Sequence, residues 1–167
     1  MAGGVGQGVA LGELAMAAQL IHVVRHAHAG NRGEWRHADD LRPLSDRGCG
    51  QAERLALAAA TPPAVIYSSP SLRCIATVLP LARLHGSPVV TLAALYEGGS
   101  AAAMLERLAR DASPLVACTH GDIVADLLGL VVTSGVKLAS LHAEKGSTWT
   151  IEVDAGRIIS ARYAPPP

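Results

Sequence analysis

The sequence predicts an α/β fold: a three-layer α/β/α sandwich with a mostly parallel sheet and a C-terminal hairpin. Three observations predict it. Short apolar runs rich in Val and Ile recur at Leu20–Arg25, Ala64–Ser68, Pro88–Leu92 and Leu115–Thr119. A stretch with helical character follows each of them, and strands alternating with helices pair in parallel under two helical layers. The last two runs, Thr148–Val153 and Arg157–Tyr163, alternate around Asp154-Ala155-Gly156 and read as an antiparallel hairpin.

Each element has a local reason. The first run, Leu20-Ile21-His22-Val23-Val24, stops on Arg25-His26-Ala27, which puts a cation and an imidazole at a strand's C-terminal end. Ala29–Leu44 is polar, holds Gly30, Gly33 and Pro43, and predicts a loop over that end. Ser45–Ala60 predicts a helix capped by Ser45, with Leu55, Ala58 and Ala59 as its apolar stripe and Thr61-Pro62-Pro63 as its stop. After the second strand, Ser69-Pro70 predicts a helix start with Ser69 as N-cap and Pro70 in the first turn. Pro80 predicts that this helix kinks or ends there. Ala101–Arg110 is alanine-rich and ends in cations, as the helix dipole prefers, and Asp122–Val132 predicts the last helix. Pro165–Pro167 predicts a disordered end. Residues 1–18 predict a flexible N-terminal tail, leaving one domain over residues 19–164.

Composition narrows the function. Half of the 167 residues are apolar, enough for a sizeable core. Lys+Arg and Asp+Glu are equal at 14 each, which argues against a nucleic-acid partner or a polybasic membrane surface. Cys49, Cys74 and Cys118 form no C-x-x-C pair and read as reduced thiols, so a cytoplasmic protein is expected. Residues 1–19 have neither a basic start nor a long apolar stretch, so neither a signal peptide nor a membrane span is expected.

Three strand ends carry polar residues. The first ends in Arg25-His26. The second runs into Ser68-Ser69-Pro70-Ser71-Leu72-Arg73, with Thr77 one helical turn on. The fourth runs into Thr119-His120-Gly121-Asp122. In a parallel sheet these ends share one edge, where ligands bind. Guanidinium forks suit phosphate oxygens, and a neutral imidazole is a competent nucleophile.

R-H at the first strand end, S-S-P-x-x-R-x-x-x-T and the later T-H-G-D resemble the histidine phosphatase superfamily, also called phosphoglycerate mutase-like. Leu44-Ser45-x-x-Gly48-x-x-Gln51-Ala52 is similar to the segment that precedes the family's second strand. Ala27 stands where the family usually has Gly. The resemblance runs from about Leu20 to about Leu130. It implies a cofactor-independent phosphatase in which His26 becomes a phosphohistidine that water then hydrolyses. It also implies that Arg25, Arg73 and His120 hold the phosphoryl oxygens, with Asn31 or Arg32 as a further contact. Glu97 matches the general acid of mutase-type members in order; the other reading makes it a plain loop carboxylate. No metal is implied: His22, His28 and His37 accompany His26 without a metal-clamping spacing.

Only 46 residues separate Arg73 from His120, too few for the lid of the mutases. This favours the compact branch, which resembles bacterial phosphohistidine phosphatases, and an open pocket. The expected substrate is a phosphorylated protein, above all a phosphohistidine protein, or a small phosphoester. Two alternatives stand beside it. One is a phosphatase-like module without turnover that binds phosphate or partners a nucleotide hydrolase. The other is a mutase-type phosphatase of small metabolites.

Overall fold

The computed structural model describes residues 18–111 and 114–167. The expected tail, residues 1–18, lies outside the described residues except for Ala18. The strands are β1 (Gln19–Arg25), β2 (Val65–Ser68), β3 (Val89–Thr91), β4 (Leu115–Thr119), β5 (Thr148–Asp154) and β6 (Arg157–Ala164). The helices are α1 (Asp46–Ala58), α2 (Leu72–His85), α3 (Ala101–Leu108) and α4 (Gly121–Thr133). One six-stranded sheet has the order β3-β2-β4-β1-β5-β6. The first four strands in that order are mutually parallel, and β5 and β6 close the edge in antiparallel pairing.

The alternation of side chains along a strand explains the two helical layers. Ile21 and Val23 of β1 and Leu115 and Ala117 of β4 join one core with Met104 and Leu108 of α3 and Leu127 of α4. Their neighbours Val24, Val116 and Cys118 face the other side and meet Ala56 of α1 and Val78 and Leu81 of α2. A parallel strand covered on both faces must be apolar at both parities, as these runs are.

The topology positions the site. The chain leaves β1, builds β2 and β3 outward, then returns to lay β4 in the gap between β2 and β1. The register pairs Arg25 with Thr119 and Ser68 with Cys118, so three strands end flush. Their next residues stay tied: His26 N donates to Thr119 O at 2.9 Å, and Ser69 N donates to Cys118 O at 2.9 Å.

Several expectations need correction. Ser71, not Ser69, is the N-cap of α2. Ser69 still belongs to the strand end by its backbone bond, and its hydroxyl meets His120, so the helix starts two residues later. Pro80 does not end α2, which runs on to His85 and stops at Gly86 in the left-handed conformation with a Schellman pair of bonds. The carbonyl that loses its donor to Pro80 belongs to Ala76, which is half-exposed and within reach of water. The buried stripe of α1 is Gly48, Ala52 and Ala56 with half-buried Leu55, while Ala58 is exposed. Gly48 on that buried face lies against the His28 backbone. α3 ends at Leu108, two residues short of Arg110. Pro165–Pro167 is placed along α1, where the Arg54 Nε donates to Pro167 O at 2.7 Å. The hairpin turns on Ala155 and Gly156, with φ of 45° and 77°, as a two-residue turn between twisted strands requires.

Candidate active site

His26 leaves the sheet one residue past β1 and is 6 % exposed. Ala27 N donates to the Thr77 hydroxyl at 2.9 Å, and Thr77 donates back to Arg73 O at 2.7 Å. The turn that carries the imidazole is thereby fastened to the helix that carries Arg73. Thr77 follows Arg73 by four residues, one helical turn, which is the meaning of the R-x-x-x-T spacing.

The Nδ1–H of His26 donates to the Ala27 carbonyl at 2.8 Å. That bond fixes the tautomer and leaves Nε2 as the ring nitrogen with a lone pair. Burial pushes the imidazole down to about 3, opposed by the Ala27 carbonyl and helped by the nearby guanidiniums of Arg73 and Arg25. His26 is therefore neutral near neutral pH.

The same shift makes a stability prediction. In the unfolded chain His26 takes up a proton below about pH 6.5, whereas the folded chain resists it down to about pH 3. The unfolded state binds more protons inside this window, so stability is full above it and is lost as pH falls. Between about pH 6.5 and about pH 5 the loss is about 2 kcal/mol. Urea unfolding of wild type and His26→Asn at both pH values checks this, and the variant is expected to show the shallower dependence.

Arg73 is 1 % exposed and has a crowded guanidinium. Nη1 donates to Asp39 O at 2.7 Å. Nη2 lies 3.0 Å from Asp39 Oδ2, 3.1 Å from Glu97 Oε2 and 3.2 Å from His120 Nδ1. His120 caps α4 and sits with its ring 5.4 Å from that of His26, edge on. Because Arg73 donates to Nδ1, the proton of His120 is on Nε2, which donates to Ser69 Oγ at 2.8 Å. Arg25 donates to the Ala143 carbonyl and packs against Gly121, where a Cβ would fall 2.8 Å from the guanidinium carbon. Arg25 and Arg73 each keep a buried Nε–H without an acceptor among the described residues.

Sequence reasoning left a choice between Asn31 and Arg32. Asn31 is turned into its own loop, where it accepts from Gly33 N at 3.0 Å. Arg32 lines the cleft and pairs with Glu97 at 3.0 Å and with Asp39 at 3.5 Å. Glu97 is 37 % exposed in its side chain and lies between Arg32 and Arg73. Its loop is pinned from below, since Gly98 N donates to Asp122 at 2.6 Å and Thr119 Oγ1 donates to Leu95 O at 2.7 Å.

Three groups escaped the sequence: Asp39, Arg42 and Lys145. Arg42 is 7 % exposed, donates to Asp39 Oδ1 at 2.8 Å and to Ala29 O at 2.7 Å, and lines the cleft. Lys145 lines it from the loop before β5. Nothing in the sequence around either residue sets it apart from a solvated loop charge. The cleft holds about 340 Å³. The other histidines have separate partners: His22 meets Thr150, His28 meets Ser45, and His37 lies against Trp35. Among the described residues no group of three or more His, Cys, Asp or Glu is placed to hold a metal ion, and no helix is long and apolar enough to cross a membrane.

The sheet order and a strand-end imidazole flanked by guanidiniums place the protein among the α/β phosphatases of the histidine type. A family model for the histidine phosphatase superfamily (branch 1) matches residues 21–103, and the chain belongs to that superfamily. A relative named 8-oxo-(d)GTP phosphatase, from Mycolicibacterium smegmatis, is 33 % identical over 158 residues. That match covers 89 % of this chain and 49 % of the relative, so the chain spans about half of the relative's length. Among solved structures, a phosphohistidine phosphatase SixA-type protein from Nakamurella multipartitia aligns with a TM-score of 0.72 at 20 % identity, covering 91 % of this chain and 98 % of that one. The protein histidine phosphatase SixA complexed with tungstate aligns at 0.70 and 16 %, covering 88 % and 95 %. Likeness at such identities speaks for the fold alone.

Proposed function

We propose that the protein is a phosphatase that hydrolyses phosphohistidine proteins or small phosphoesters through a phosphohistidine on His26. One observation carries the reading: a buried, neutral imidazole, with its tautomer fixed by the Ala27 carbonyl, stands beside two guanidiniums that keep unpartnered Nε–H groups. Buried donors without acceptors are rare, and a phosphoryl group supplies the acceptors these lack.

In the first step Nε2 of His26 attacks phosphorus as the bond to the leaving group breaks. The ring becomes positive, and the Nδ1–H bond to Ala27 O stabilises it. Arg25 and Arg73 take up the charge on the phosphoryl oxygens. His120, which already carries its proton on Nε2, turns that N–H from Ser69 Oγ to a phosphoryl oxygen. Glu97, displaced from Arg73 by the phosphoryl group, takes a proton from solvent and passes it to an alkoxide leaving group. Water then attacks phosphorus, the P–N bond returns its electron pair to Nε2, and one water proton restores Glu97. A phosphohistidine substrate leaves as an imidazole and depends less on that proton.

A second reading has a specific observation behind it. The chain matches about half of a nucleotide-hydrolysing relative, which favours a domain that partners such a hydrolase, in a cytoplasmic setting. The test separates turnover from partnership. Wild type and His26→Asn are mixed with a phosphohistidine peptide or a chromogenic phosphoester, quenched in alkali and analysed by mass spectrometry. A phosphoryl group on His26 in the wild type only is the expected result. No label and no phosphate release from either substrate would leave the partner reading.

A further inference from the structure

Lys145 differs from the other cations of the cleft. Arg32 and Arg73 are paired with Asp39 and Glu97, and Arg42 with Asp39. Arg25 has Glu144 and Asp122 nearby. The Lys145 ammonium has no carboxylate partner among the described residues. Burial and then the charges of Arg25, Arg42, Arg73 and Arg47 hold it below the usual lysine range.

Its place beside the nucleophile is built into the backbone. Gly146 N donates to Arg25 O at 3.0 Å and to His26 O at 3.2 Å, so Lys145 is one residue from a bond to the nucleophile's own carbonyl. Gln51 grips both sides: its Nε2 donates to Lys145 O at 3.0 Å and its Oε1 accepts from His28 N at 2.9 Å. A chain that merely needed a surface lysine would not tie it to the His26 turn through a glutamine 5 % exposed.

The reacting phosphoryl group is already met by Arg25, Arg73 and His120. Lys145 supplies positive charge beyond that need, and Arg42, held in place by Asp39, lines the same cleft. We infer that they form a second anion subsite for the penultimate phosphate of a substrate that ends in a phosphoanhydride. This names the substrate class of the reaction above and rests on it for the chemistry. The Nε2–P bond forms as the bridging P–O bond breaks, and the electron pair leaves on the penultimate phosphate. Lys145 stabilises that anion, so no proton from Glu97 is needed. Water then gives its hydroxyl to phosphorus, the P–N electron pair returns to Nε2, and the remaining water proton goes to solvent.

Calorimetry with the full chain tests the subsite without turnover. Inorganic pyrophosphate and orthophosphate are titrated into wild type, Lys145→Gln and Lys145→Arg. Wild type is expected to prefer pyrophosphate, Lys145→Gln to lower the pyrophosphate-to-orthophosphate affinity ratio about tenfold, and Lys145→Arg to keep it. No preference in the wild type overturns the inference. So does a loss of both affinities by one factor in Lys145→Gln. Phosphate release from inorganic tripolyphosphate and from ADP then tells the two sources of this chemistry apart. A Lys145→Gln defect on either supports the subsite, and a defect on neither overturns it. Labelling of His26 is read separately, so a failed subsite and a failed phosphatase are distinguishable.

Discussion

Arg73→Lys is expected to lower kcat/KM by about 10²–10³-fold while the protein stays folded. Lysine keeps the charge but loses the planar fork. In this site the fork does several things at once. One arm holds the Asp39 carbonyl, the other meets Asp39, Glu97 and His120, and Nε is buried without an acceptor among the described residues. An ammonium reaches one of these positions and leaves the rest. Arg73→Ala behaves differently. An arginine that only clamped phosphate could be removed with the fold intact, but a side chain 1 % exposed cannot be removed so lightly. Its loss leaves a cavity and strips partners from two carboxylates that are themselves partly hydrated, a cost of about 2–3 kcal/mol. Steady-state kinetics beside thermal melts separate the two variants. Arg73→Lys with kcat/KM within about threefold of wild type would remove Arg73 from the phosphoryl clamp.

Gly48→Ala is expected to destabilise the fold by about 3 kcal/mol or more, measured by denaturant unfolding. A Cβ at Gly48 would lie 1.9 Å from the His28 carbonyl oxygen and 2.9 Å from its carbonyl carbon. Both are backbone atoms, so no side chain can swing aside. The clash falls two residues after His26, where Ser45 N donates to the same carbonyl at 3.0 Å and Gln51 accepts from His28 N. Activity should fall with stability because the His26 turn moves. Gly129 in α4 is the control: a Cβ there meets nothing within 4 Å, and Gly129→Ala should stabilise by about 0.5–1 kcal/mol through helix propensity. If both variants unfold at one denaturant concentration, Gly48 is not the contact described.

Much of the fold was legible because the strands are buried on both faces and so read as unbroken apolar runs. Arg25, His26 and His120 were legible because a strand end is a fixed place in a parallel sheet, and Arg73 because α2 starts close behind β2. Legibility stopped where position depends on tertiary contacts. Asp39 and Arg42 come from the loop between β1 and α1, whose short 3-10 turns carry no periodicity. Lys145 comes from the loop before β5 and is placed by Gln51, a partner 94 residues away. The cap of α2 was misread because Ser68-Ser69-Pro70-Ser71 offers three serines, and a proline before a helix does not say which one starts it. Asn31 could have been set aside from sequence, since Asn-x-Gly forms an Asx turn that occupies the side chain.

The carboxylates already seated on the guanidiniums have a consequence for how the cleft behaves in salt. Asp39 and Glu97 act as tethered counterions. When a phosphoryl group arrives it displaces these built-in anions rather than ions drawn from solution. Fewer mobile ions are then released per contact, so affinity falls less steeply with ionic strength than four clustered arginines would suggest. The same tethers favour departure: as phosphate leaves, the displaced carboxylates are at hand to take its place on Arg32, Arg42 and Arg73.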